Sequence, residues 1–128
     1  PLDSTQAVVT TEQLLGMIRT VRSVFVSRAV EQYAVAIAQA TRQDRDLRLG
    51  ASPRATLQLV RAAKARAALD GREFVLPDDI DALAVPVLAH RIIPSIRVSG
   101  GAGSVQSSSL AEVIYRILAA TPVPLGTT

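Results

Sequence analysis

The run Gly50-Ala51-Ser52-Pro53-Arg54-Ala55 obliges this chain to start a helix abruptly. Ser52 suits an N-cap, because its hydroxyl can accept from backbone N–H groups that have no partner inside the helix. Pro53 then falls at the first helical position, where its fixed φ fits and its missing N–H costs nothing. Arg54 breaks the local pattern. A cation beside the positive end of a helix dipole is unfavourable by roughly 0.3–1 kcal/mol at an exposed position. An anion would relieve that conflict, since helix N-termini attract phosphate and a guanidinium pairs with it in a fork. On these residues alone two readings stand side by side: an anion-seeking arginine, or a surface arginine in an ordinary helix start.

The rest of the chain is punctuated in the same way. Leu14, Leu15, Ile18 and Val21 recur at the spacing of one helical face, and Thr10 with Gln13 forms a capping-box pair ahead of them. Val24-Phe25-Val26 predicts a brief extended piece. Ser27 caps a second helix whose shared face is Val30, Tyr33, Ala34, Ile37, Ala38 and Thr41. Gln43-Asp44-Arg45-Asp46 reads as a loop. The third helix runs from Pro53 to about Leu69, with Leu57, Val60, Ala63 and Ala67 as its buried stripe and Gly71 as its stop. Arg61 sits two turns beyond Arg54 on the same side. Glu73-Phe74-Val75-Leu76 predicts a second extended piece that could pair with the one at Val24. Pro77-Asp78-Asp79-Ile80 opens a fourth helix with acids where the dipole prefers them. Pro86 predicts a kink or two helices, about 78–84 and 86–90. His90 and Arg91 close that segment, and Gly100 to Ser104 reads as a flexible connector. Ser109 and Glu112 form a capping box for a last helix with Leu110, Val113, Ile114, Ile117 and Leu118 on one face. The fold class is therefore all-α, a small bundle of about five helices with at most one pair of very short strands. Residues 1–9 read as a linker, 10–120 as the helical domain and 121–128 as a tail.

Composition narrows the chemistry. Apolar residues make up 48% of the chain and charged residues 20%, which suits a folded domain rather than a disordered tail. With no Cys and one histidine, His90, neither a thiolate zinc site nor a metal cluster is predicted. No apolar run is long enough to span a bilayer, so membrane insertion is not expected. The N-terminus has no basic or hydrophobic signal segment and no initiator Met, which reads as a fragment of a longer, cytoplasmic protein. The sole lysine, Lys64, lies between Ala63 and Ala65, so the phosphate-binding loop of Gly-Lys-Ser/Thr type is missing. Asp78-Asp79 follow a proline at a helix start instead of an apolar strand, so no magnesium-holding acids are evident. The 13 arginines are spread from Arg19 to Arg116 among 11 acids, not concentrated as in a nucleic-acid binder.

At this point several ordered motifs coincide. Tyr33, Ala40-Thr41-Arg42, Leu49-Gly50-Ala51-Ser52-Pro53-Arg54-Ala55, Ala63-Lys64-Ala65-Arg66-Ala67, Gly71-Arg72, Val75-Leu76-Pro77-Asp78-Asp79-Ile80 and Val87-Leu88-Ala89-His90-Arg91 closely resemble the C-terminal lid of MoxR-type AAA+ ATPases. The resemblance covers most of residues 10 to 95, and the ending Thr121-Pro122-Val123-Pro124 also looks like the tail of such proteins. It implies an α/β core elsewhere that holds ATP and Mg²⁺, with this helical lid packed beside it. Arg54 matches the family's second-sensor arginine, directed at the γ-phosphate of ATP. Ser52 and Pro53 would set the start of its helix, and Arg61 is a secondary candidate. Thr41-Arg42 lies within a matched motif but receives no chemical role. The isolated chain would not be an enzyme. The family further implies a homo-oligomeric ring and a chaperone role in maturing or loading cofactors into partners, among them proteins with a von Willebrand factor A domain.

Two other readings of the residues compete. A basic helical DNA-binding module would need base-reading side chains clustered on one helix, for which the segment bearing Arg54 and Arg61 is the sole candidate. A helical protein-interaction module without a nucleotide role would be indifferent to Arg54.

Overall fold

The computed structural model describes residues 2–95 and 107–125, the side chains of 107–109 excepted. Five helices carry the fold: α1 (Thr11–Ser23), α2 (Arg28–Gln43), α3 (Pro53–Leu69), α4 (Pro77–Leu88) and α5 (Ser107–Ala120). Two short strands, β1 (Leu47–Leu49) and β2 (Ile93–Pro94), pair antiparallel, Leu47 opposite Pro94 and Leu49 opposite Ile93. The molecule is thus a small all-α bundle with one minimal strand pair. The connector at Gly100–Ser104 lies outside the described residues.

Capping chemistry sets the helix starts. Thr10 N–H donates to Gln13 Oε1 (2.8 Å) while Gln13 N–H donates to Thr10 Oγ1 (3.1 Å). Ser27 Oγ accepts from Val30 N–H (3.2 Å), and Ser52 Oγ accepts from Ala55 N–H (3.1 Å). At the other end of α3, Gly71 takes φ of 73°, a conformation that a side chain would strain. The α5 backbone is already helical at Ser107, so Ser109 stands inside the helix and not at its cap.

The core is assembled from four of the five helices. The predicted face of α2 is buried in full: Val30, Tyr33, Ala34, Ile37, Ala38 and Thr41. Against it lie Ile80, Ala84 and Leu88 of α4 and Leu110, Val113, Ile114 and Ile117 of α5. Leu118 packs beside them only partly buried. Small residues on α3 and α4 allow those helices to approach closely, which is why Ala63, Ala67 and Ala84 lose all contact with solvent.

Several expectations need correcting. The buried stripe of α3 is Ala55, Leu59, Ala63 and Ala67. Leu57 is 50% exposed and Leu59 1%. In a helix this rich in alanine, many faces look apolar, so the leucine that the neighbours cover cannot be told from the one they leave open. Burying Leu59 contributes on the order of 1.5–3 kcal/mol. Pro86 does not divide α4. It lies on the exposed side of the last turn, where it forfeits one hydrogen bond to Ala82, while Ala84 and Leu88 keep the buried face continuous. His90 and Arg91 accordingly fall in the turn after α4. The extended pieces at Phe25 and Phe74 do pair as expected, though only as a single parallel bridge, with Phe25 N–H donating to the Glu73 carbonyl (2.8 Å) and Val75 N–H to the Phe25 carbonyl (2.9 Å). The strand pair proper forms elsewhere, because residues after the predicted 43–46 loop extend to meet Ile93–Pro94. Finally, α1 is amphipathic as read, yet it buries none of its residues. Leu14, Leu15, Met17 and Ile18 all stay exposed.

Candidate functional site

The site grows from the junction of α2 and α3. Thr41, 1% exposed, donates its hydroxyl to the Ala38 carbonyl (2.6 Å) and accepts from Ala51 N–H (2.8 Å). Arg42 Nε donates to the Ala51 carbonyl (2.7 Å), so the last turn of α2 holds both polar groups of one residue. Gly50 lies flush against that turn. A Cβ on Gly50 would stand 2.5 Å from Arg42 N and 2.7 Å from Thr41 C, so only glycine fits. Ser52 follows with extended backbone (φ −76°, ψ 163°), caps α3 and hands over to Pro53 at its first turn.

Arg54 is exposed at that first turn, which contains no acid. Among the described residues no acceptor stands within hydrogen-bond or ion-pair distance of its guanidinium, and its own N–H is likewise without a partner. Pro53 has no N–H. Ala55 N–H goes to the Ser52 hydroxyl and Thr56 N–H to the Ser52 carbonyl (3.1 Å). The start of α3 therefore presents one open backbone donor and one fork of side-chain donors, both on Arg54. Donors of these two kinds are ones an anion can use.

Arg61 is placed differently from Arg54. It is exposed and lines a groove of about 480 Å³ between α1 and α3 with Met17, Ile18, Val21, Arg22 and Lys64. Lys64 Nζ donates to the Arg22 carbonyl (2.9 Å) near the C-terminal end of α1, a favourable place for a cation. On the other side of α3 a groove of about 460 Å³ is bordered by Val35, Arg42, Pro53, Leu57 and Val60. Leu57, predicted for the core, is part of this surface.

Sequence reasoning left Asp79 as an ordinary helix-start acid, and it is far more. Its carboxylate is buried and accepts from Arg72 through both guanidinium nitrogens (2.7 and 2.8 Å) and from Leu76 N–H (2.8 Å), with Arg66 Nε at 3.3 Å. Burial alone would raise its pKa. The hydrogen bonds from Arg72 and Leu76 and the charges of Arg72 and Arg66 outweigh that and hold the carboxyl below the usual range. Leu76 offers no side-chain cap, so this carboxylate ties the end of α3 to the start of α4 in its place. A similar clamp joins α5 to the loop before β1. Arg116 grips Asp44 in bidentate fashion (2.9 and 3.1 Å) and Asp46 at 2.9 Å, and the bonds from Arg116 keep the Asp44 carboxyl below its ordinary value. The Arg116 clamp joins residues about 70 apart in sequence, whereas the Asp79 clamp closes across the turn from Arg72, seven residues away. Among the described residues no group of three or more His, Asp or Glu side chains is gathered for a metal ion, and no helix is long and apolar enough to cross a membrane.

Comparison with known proteins adds to this geometry. A family model described as the AAA lid domain matches residues 39–109. The chain is similar to the uncharacterized protein YeaC of Bacillus subtilis, 33% identical over 127 residues, which is 98% of this chain and 38% of that protein. It is similar to the chaperone MoxR1 of Mycobacterium tuberculosis, 33% identical over 95 residues, covering 67% of this chain and 25% of that one. Among solved structures, a putative ATPase from Cytophaga hutchinsonii superposes with a TM-score of 0.81 at 29% identity, over 94% of this chain and 38% of that chain. The chain thus spans well under half the length of each of these relatives.

Proposed function

Because the chain belongs to the AAA lid domain family, as a lid of the MoxR type, we propose that it is the nucleotide-sensing part of an ATPase and that Arg54 contacts the γ-phosphate of bound ATP. In this reading a core domain outside residues 1–128 supplies the phosphate-binding loop and the acids that hold Mg²⁺, since the chain has neither. The observation that carries the proposal is the start of α3. A solvent-exposed guanidinium and an open N–H share one residue at the positive end of a 17-residue helix, with no acid in its first turn. That cation is unfavourable where it stands until a negative group arrives.

The exposed apolar side of α1 supports a lid that packs on a further domain, with Leu14, Leu15, Met17 and Ile18 as the residues to be covered. The Coulomb attraction between Arg54 and a phosphate oxygen at about 4 Å is on the order of 4 kcal/mol at an effective dielectric near 20, most of which the desolvation of the two charges offsets. Loss of the γ-phosphate on hydrolysis removes much of that tether, and the lid is released to rotate relative to the core. In a homo-oligomeric ring such rotation passes to the neighbouring subunit and does work on a client. The likeness to a protein named a chaperone supports a role in maturing a client. Cofactor loading, a von Willebrand factor A domain partner and a cytoplasmic place are what the resemblance to MoxR-type proteins implies. Nucleic acid is the poorer fit. Arg66, Arg72 and Arg116 are engaged by acids instead of forming a stripe for phosphates.

The test is Arg54→Ala in the intact protein, with ATP turnover and nucleotide-dependent closure as readouts and melting of the lid as the control. Turnover should fall while the lid stays folded. Wild-type turnover and nucleotide affinity would refute the role. Arg54→Lys is the finer probe, since it keeps the charge and loses the fork.

A further inference from the structure

We propose that Thr41 and Arg42 are positioning residues for Arg54, holding the start of α3 so that its guanidinium meets the phosphate; this rests on the reading of Arg54 as the γ-phosphate contact. The Ser52 cap and Pro53 decide which residue begins the helix, but not where in space it begins. That is decided by Ala51, whose N–H is held by Thr41 Oγ1 (2.8 Å) and whose carbonyl is held by Arg42 Nε (2.7 Å). The Thr41 hydroxyl gives its proton to the Ala38 carbonyl, which turns its lone pairs toward Ala51. Gly50, with no room for a side chain, lets the segment run directly along the α2 backbone. Helix α2 is a firm anchor because its whole inner face is buried. The body of α3 is fixed separately, by Ala55, Leu59, Ala63 and Ala67. Arg54 precedes the first of these, so its placement depends on the grip upstream as well as on the packing downstream.

Loss of the grip should therefore misplace Arg54 without unfolding the lid. The experiment uses the intact ATPase and compares binding of a non-hydrolysable ATP analogue with binding of ADP. The variants are Thr41→Val, Thr41→Ser, Arg42→Gln, Arg54→Ala, and the first and third combined with Arg54→Ala. Arg54→Ala should reduce the preference for the ATP analogue about tenfold, and Thr41→Val and Arg42→Gln about fivefold each, with ADP affinity unchanged. Thr41→Ser, which restores the hydroxyl, should recover the preference. On the Arg54→Ala background neither variant should lower it further, because both act through that residue. If Thr41→Val fails to fold, Arg42→Gln, at an exposed residue, carries the test. Should Arg54→Ala lower the preference while the grip variants leave it intact, or should their effects simply add, the positioning role is overturned. A preference unchanged by Arg54→Ala would overturn the γ-phosphate reading, and this inference with it.

Discussion

Removing the Asp79 carboxylate should cost this small domain a large part of its stability. Asp79 is 1% exposed, accepts from Arg72 and Leu76 N–H and pairs with the charge of Arg66, joining the end of α3 to the start of α4. Asp79→Ala leaves Leu76 N–H without its cap, a loss of about 1 kcal/mol. It also removes hydrogen bonds to a charged group, worth about 1.5–3 kcal/mol. The arginines keep access to water, so the ion pair counts toward the low end of that range. The sum is about 2.5 kcal/mol. For a chain of 128 residues this corresponds to a fall in Tm of about 10 °C, at about 4 °C per kcal/mol. Asp79→Asn should recover only part of the loss, since the amide keeps one acceptor oxygen and forfeits the charge. The neighbouring Asp78→Asn, at an exposed residue, should change stability by less than about 1 kcal/mol. Thermal and urea unfolding followed by circular dichroism measures all three. Asp79→Ala melting within 2 °C or so of the parent chain, below the smallest shift that even 1 kcal/mol produces, would show that the buried cluster does not hold the two helices together.

Further expectations follow from the same contacts. Asp79 and Asp44 both bind protons more weakly in the folded chain than at the ordinary value of 3.8, so the stability they contribute is present above about pH 4 and is lost as pH falls through their folded values. Urea midpoints should drop between pH 5 and pH 3, and a midpoint that holds or rises over that interval would contradict the assignment. Gly50→Ala forces a Cβ to 2.5 Å from the Arg42 backbone and should destabilise by about 1–3 kcal/mol in urea titrations. Gly16→Ala, in α1 with open space around it, should instead stabilise by about 0.5–1 kcal/mol. Equal effects at the two glycines would show that the tight approach of α2 to residue 50 does not matter.

Local chemistry made much of the fold legible. Thr10 with Gln13, Ser27, and Ser52 with Pro53 each marked a helix start that the structure places at that residue, because a cap involves groups three residues apart at most. The buried face of α2 could be read in full, since Val30, Tyr33 and Ile37 recur at helical spacing with Glu31, Gln32 and Gln39 on the outward side. The misreadings share a cause in distance. Leu57 and Leu59 differ only in what covers them, and Asp79 differs from Asp78 in accepting both Leu76 N–H and the guanidinium of Arg72 as it folds back. The strand pair at Leu47–Leu49 is too short for a periodic signal and depends on Ile93–Pro94, more than 40 residues away. Arg54 was visible for the opposite reason: its conflict with the helix dipole lies within three residues. The grip on Ala51 was not visible, because nothing in the sequence joins Thr41 to residue 51 until the chain turns back at Gly50.

The γ-phosphate contact is tested most directly by the distance from the Arg54 guanidinium to the nucleotide, in a structure of the intact protein bound to a non-hydrolysable ATP analogue. The expected result is a guanidinium nitrogen within about 3 Å of a γ-phosphate oxygen, the length of a charge-assisted hydrogen bond. A side chain pointing away from the nucleotide, with every phosphate oxygen beyond the roughly 10 Å over which solvent ions screen a charge, would contradict it.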